Sequence, residues 1–136
     1  MHIKRFILAV VAAFAVIFVL DIIVHGKLLM GFYNQTMSVW RPQADANKLM
    51  WLMTVTQAAF ALALTWFYTK GYEPQKKGLG QGIRFGLYVG IVLTACQGFI
   101  WYVVLPVPFV LNLGWLASAF VKALASSIVI GLIYRK

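Results

Sequence analysis

Few side chains in this sequence could carry chemistry, and most of them lie inside apolar runs. Asp21 and His25 stand four residues apart in VLDIIVHGKLL, a spacing that stacks two side chains on one helix face. A histidine oriented by a carboxylate can serve as a general base. No serine or cysteine nucleophile is identifiable at its side, so an enzyme reading lacks an attacking group. Lys122, in SAFVKALASS, is a second charge embedded in apolar sequence. Gln57, Gln97 and Ser118 are neutral polar side chains in comparable settings. A titrating acid with a lysine counter-charge is the chemistry of a proton-coupled carrier. Asp21 and His25 offer two metal ligands, and the other histidine, His2, is remote in sequence. No metal site is expected, and no cofactor is implied.

The elements that position these residues follow from composition. The chain has 136 residues, of which 62% are hydrophobic and 11% charged, with a mean hydropathy of +0.85. About a quarter of the residues in a soluble domain are charged, and a core this small could not hide such an apolar excess. The solvent is therefore lipid. The net charge of +9 comes from 12 Lys+Arg against 3 Asp+Glu. The basic residues gather at the ends of apolar runs, where they meet anionic lipid. No basic face interleaved with aromatics suggests nucleic acid. A single cysteine, Cys96, excludes an internal disulfide and reads as a small buried hydrophobe.

Four apolar segments, at about residues 6–28, 49–68, 84–104 and 109–132, are long enough to cross a hydrocarbon layer of about 30 Å. Helices satisfy their backbone within one segment, so the expectation is an all-α bundle of four transmembrane helices in one domain, 1–136. The opening MHIKRFILAVVAAFAV has the basic start and apolar centre of a signal peptide. The apolar run continues through VIFVLDIIV, so it reads as an uncleaved first span. GFYNQTMSVWRPQADANK reads as a mixed loop, KGYEPQKKGLGQG as an aqueous turn and LPVPF as a proline corner.

Lys4, Arg5, Lys70, Lys76, Lys77, Arg84, Arg135 and Lys136 fall on one side of such a bundle, and Lys27, Arg41 and Lys48 on the other. The richer side belongs in the cytoplasm. Both termini are then inside and the chain is a multi-pass membrane protein. Asn34-Gln35-Thr36 forms a glycosylation sequon on the outer loop, meaningful only in a secretory pathway.

Gly82, Gly86, Gly90, Thr94 and Gly98 recur at every fourth position of the third span, and Ala119, Ala123, Ser127 and Gly131 in the fourth. Small rows let helices approach closely. They suit each other across the proline corner, and they equally suit a seam between two copies or with a membrane partner. Trp40, Trp51, Trp101, Tyr102 and Trp115 mark the outer boundary, and Tyr68, Tyr72 and Tyr134 the inner one, as interface aromatics do.

At about 1.5 Å per residue, Asp21 and Gln97 lie about 10 Å and Gln57 about 12 Å below the outer ends of their spans. Side chains lean toward their helix N-terminus, so Lys122 rises and Asp21 descends. The expectation is an Asp21–Lys122 ion pair, with His25, Gln57, Gln97 and Ser118 completing a polar pocket open to the outside. The competing structural uses are a cap or His25 contact for Asp21 and a snorkelling Lys122.

The segment GKLLMGFYNQTMSVWRP and the late pattern of Trp115, Lys122, Ala123 and Gly131 to Arg135 resemble bacterial four-helix inner-membrane families classed as domains of unknown function. That resemblance implies a membrane protein and carries over no catalytic residue. Small multidrug transporters also have four spans and an acid in the first. This chain departs from them in its one-sided positive charge and in Lys122, which would repel a cationic drug. An accessory or structural subunit is expected first, a proton-coupled carrier second and an outer-leaflet enzyme third.

Overall fold

The computed structural model describes residues 2–135. Its elements are α1 (Ile3–Ile23), a π-helical turn (Val24–Leu28), α2 (Met30–Gln35), a 3₁₀ turn (Met37–Val39), α3 (Gln43–Lys70), α4 (Gly78–Gln97), α5 (Ile100–Val104) and α6 (Phe109–Ile133). Among the described residues, four helical stretches are long and apolar enough to cross a membrane: Ile3–Leu28, Gln43–Lys70, Gly78–Val104 and Phe109–Ile133. The protein is a small, all-α, four-span membrane protein.

The fourth span is the axis of the bundle. α6 packs against α4, α1 and α3, while α1 also packs against α3. The reason is its small row: Ala119, Ala123, Ser127 and Gly131 are all buried. The tightest seam is α4 against α6. A Cβ on Gly82 would lie 2.6 Å from the Ser127 carbonyl oxygen, and one on Gly86 2.8 Å from Leu124 Cα. A Cβ on Gly90 would lie 2.7 Å from the Phe120 ring. The ridge extends one turn further back than the sequence reading placed it, because a Cβ on Gly78 would lie 2.1 Å from the Gly131 carbonyl oxygen. Within this chain the ridge is therefore occupied by α6.

Gly98 does not belong to that ridge. It stands just beyond the last residue of α4 with φ +40°, a backbone region that side chains with a Cβ rarely adopt. The third span is thus a helix, a break and a short second helix. Asn112, 1% exposed, donates from Nδ2 to the Gly98 carbonyl at 3.2 Å and satisfies backbone that the break leaves free. The expected loop at 31–48 is also largely helical, divided among α2, the 3₁₀ turn and the start of α3.

The two halves of the bundle differ in content. At the end where α1 begins and α6 finishes, Ala9, Ala13, Ile17, Ala61, Leu64, Tyr68, Ile130 and Tyr134 form a continuous apolar core. Tyr68 and Tyr134, 3% and 7% exposed, make edge contacts with each other and with Phe85 or Tyr72. They close the core rather than forming a boundary belt. Cys96 also departs from its reading, because it is exposed on the bundle surface. The turn between α3 and α4 is pinned by Gln81. Its amide accepts from the Glu73 backbone at 2.8 Å and donates to the carbonyls of Glu73 and Lys76, both at 2.9 Å.

A bulky side chain on the α4 ridge must push α6 away, and overpacking costs about 1–3 kcal/mol. Gly82→Val should lower the melting temperature in detergent, whereas Gly80→Ala, with nothing within 4 Å of its Cβ, should keep or raise it. Glu73 supplies a pH test. Hydrogen bonds from Lys76 and then Arg84 hold its carboxyl below the usual range. The turn gains this support above the unfolded carboxyl value and loses it as pH falls through the lowered one. The protection factor of the Glu73 amide, which Gln81 holds, should fall across that acidic window, and Glu73→Gln should remove that fall.

Candidate functional site

The buried face of α1 is a four-residue repeat of Ala9, Ala13 and Ile17, and Asp21 and His25 continue it. On α3 the same spacing runs from Gln57 through Ala61 to Thr65, the last two buried. On α6, Ser118 and Ser126 are buried on the stretch that carries Lys122. The helices meet at these positions because their small and apolar residues pack one turn further along. The polar side chains are thus delivered to one level of the bundle.

The geometry there is tight. Lys122 Nζ lies 2.5 Å from Asp21 Oδ1, with side-chain exposures of 22% and 14%. Gln57 Nε2 donates to the other carboxylate oxygen, Oδ2, at 2.5 Å. His25 Nε2 is 3.7 Å from Asp21 Oδ1. Each oxygen of the carboxylate therefore has a donor, and an acid, an amine and an amide from three helices are joined. Gln97 and Ser118 make no hydrogen bond to this cluster. Together with Lys122 and His25 they line a cavity of about 370 Å³.

A second network roofs the cavity. His25 lies in the π-helical turn, whose wider backbone is closed by Leu29 N–H donating to the Val24 carbonyl at 2.8 Å. Its Nδ1 is 2.6 Å from the Tyr33 hydroxyl, which accepts from Trp115 Nε1 at 2.8 Å. An indole N–H can only donate. With its oxygen accepting from Trp115, Tyr33 donates its own proton to His25 Nδ1, which leaves the histidine proton on Nε2, 3.7 Å from Asp21 Oδ1. Burial, offset by the Trp115 bond and aided by the Asp21 charge, raises the Tyr33 phenol above its ordinary value. It stays protonated at neutral pH. Trp40 donates to Thr36 at 2.9 Å and packs edge-on against both Tyr33 and Trp115.

Tyr33, Trp40 and Asn112 are the contributors that residue types alone did not reveal. Tyr33 lay in a segment read as loop, and Trp40 and Trp115 looked like boundary anchors. A signal for Asn112 was present, since it is a lone amide in the first turn of an apolar span. Trp51, 60% exposed, fits the anchor reading. Among the described residues, no three of His, Cys, Asp or Glu come close enough to hold a metal ion.

No family model, no curated protein and no solved structure matches this chain. Its four long apolar helices are consistent with a small four-span membrane protein.

Removing one member of the ion pair leaves the other charge unmatched, which costs about 2.5–3.5 kcal/mol within a span. Lys122→Met alone should destabilise the protein by about that amount in bicelle denaturation. Asp21→Asn combined with Lys122→Met should be milder than either single change. Unaltered stability in Lys122→Met would contradict a structural ion pair.

Proposed function

We propose that this small four-helix membrane protein is an accessory or structural subunit of a bacterial inner membrane. Its ends lie in the cytoplasm and its polar pocket faces outward. The observation that carries this reading is the asymmetry about the Asp21–Lys122 level. On one side lies the polar cavity bordered by Lys122, Ser118 and Gln97; on the other, the apolar core from Ile17 to Tyr134 fills the space between α1, α3 and α6. The hollow beside it, between α3 and α4, is lined by apolar and aromatic side chains such as Phe60 and Phe85. A polar pocket backed by an apolar core suits holding a group better than passing it through. The basic excess at the end where α1 begins supports the orientation.

The surface supports a partner. From Leu49 to Thr56 the start of α3 is exposed in every direction around the helix, with Trp51 60% and Met53 54% exposed. A helix half without neighbours in its own bundle has room for another membrane protein. The runner-up reading is a proton-coupled carrier, favoured by the line of titratable groups from Tyr33 through His25 to Asp21.

One pair of measurements separates them. A photoreactive residue at position 53 should form an adduct in cells with one defined membrane protein. The purified chain in liposomes should give no proton uptake above that of Asp21→Asn. Adducts with lipid alone, together with uptake that Asp21→Asn abolishes, would replace the subunit by the carrier.

A further inference from the structure

Hydroxyls inside helices ordinarily turn back onto their own backbone. Thr56, Thr65, Thr94 and Ser126 do so here, donating to the carbonyl four residues earlier at 2.5–2.8 Å. Ser118 does not. It is 5% exposed, its Oγ is buried without a partner, and it lines the cavity beside Lys122. Ser127 Oγ is also buried and unpaired, but its Cβ is packed against the Gly86 position of the α4 seam. Tyr68 Oη is buried and unpaired as well, but Tyr68 borders a separate hollow beside Gln81 and Arg84. Among the described residues, Ser118 is the buried, unpaired hydroxyl on the cavity that Lys122 lines.

The remaining lining sets the ligand's chemistry. An ammonium has three donors, and Lys122 commits one to Asp21. Two are left for an acceptor in the cavity. The walls include Trp40, Trp101 and Trp115. The N–H groups of Trp40 and Trp115 are engaged with Thr36 and Tyr33, so these two indoles offer apolar surface. Trp101 is 52% exposed, and Gln97 is exposed where α4 breaks. The outward-facing pocket is therefore open on its flank as well, across the broken span, where acyl chains lie. The Asp21–Lys122 pair sums to zero charge. An anion would add an unmatched charge inside the span, whereas a neutral oxygen acceptor would not.

We infer that this cavity binds a flat, lipid-soluble carbonyl compound of the quinone type. Its ring rests against the indoles, and one carbonyl oxygen accepts from Lys122 Nζ and Ser118 Oγ. The inference deepens the pocket reading and rests on it.

The test uses the full chain in nanodiscs with Trp51→Phe and Trp66→Phe, so that Trp40, Trp101 and Trp115 report. A decyl-tailed benzoquinone should quench their fluorescence saturably. Ser118→Ala should weaken binding about five-fold while leaving the melting temperature unchanged. Quenching without saturation, equal quenching in Ser118→Ala, or displacement of the quinone by lower concentrations of decanoate would each overturn it. If the charge-pair variants behave as predicted while the quinone fails to saturate, this inference falls and the pocket reading stands. If the charge pair itself has no effect on stability, both fall.

Discussion

Two opposite charges inside a hydrocarbon layer leave a bundle few arrangements. Asp21 and Lys122 lie in the first and last spans, separated by 101 positions in sequence. Each alone would have to reach water, whereas together they neutralise one another in a medium that screens them weakly. Once they meet, α1 and α6 are neighbours and their register is set. Gln57 then brings α3 to the same level through the second carboxylate oxygen. The glycine seam of α4 completes the bundle by direct backbone approach, an attraction that does not depend on water.

This level divides the molecule into halves with different physics. Towards the end where α1 begins, small and aromatic side chains fill the space between α1, α3 and α6. Towards the other end, the π-helical turn, the Gly98 break and the short α2 interrupt regular helix. Irregular backbone within membrane depth is tolerated where protein or a cavity surrounds it. Leu29, Val107 and Leu111 anchor this region against the start of α6, and Gly114 makes room for the Leu29 side chain. A rigid half thus carries an irregular half, and the cavity belongs to the irregular one.

Much of this was legible in residue types. Apolar runs defined four spans, although their helices extend further: α3 begins at Gln43 and α4 at Gly78. The four-residue glycine repeat indicated the α4–α6 seam, because close approach depends on side-chain size alone. The lean of helical side chains indicated that Lys122 and Asp21 point towards one another. Other features depend on partners distant in sequence. Gly98 keeps the four-residue spacing, yet it breaks the helix. Tyr33 and Trp40 gain their roles from Trp115, about 80 residues away. The exposure of Cys96 reflects which side of α4 faces α6, a choice made by the glycines.

The account depends on a short distance between two charged groups in a lipid bilayer. Solid-state dipolar recoupling between a ¹⁵N label on Lys122 Nζ and a ¹³C label on Asp21 Cγ measures it directly. The expected result is a strong coupling from atoms within about 4 Å of each other. A coupling too weak to detect, in protein that still melts cooperatively, would place the two groups apart and contradict the arrangement on which the pocket depends.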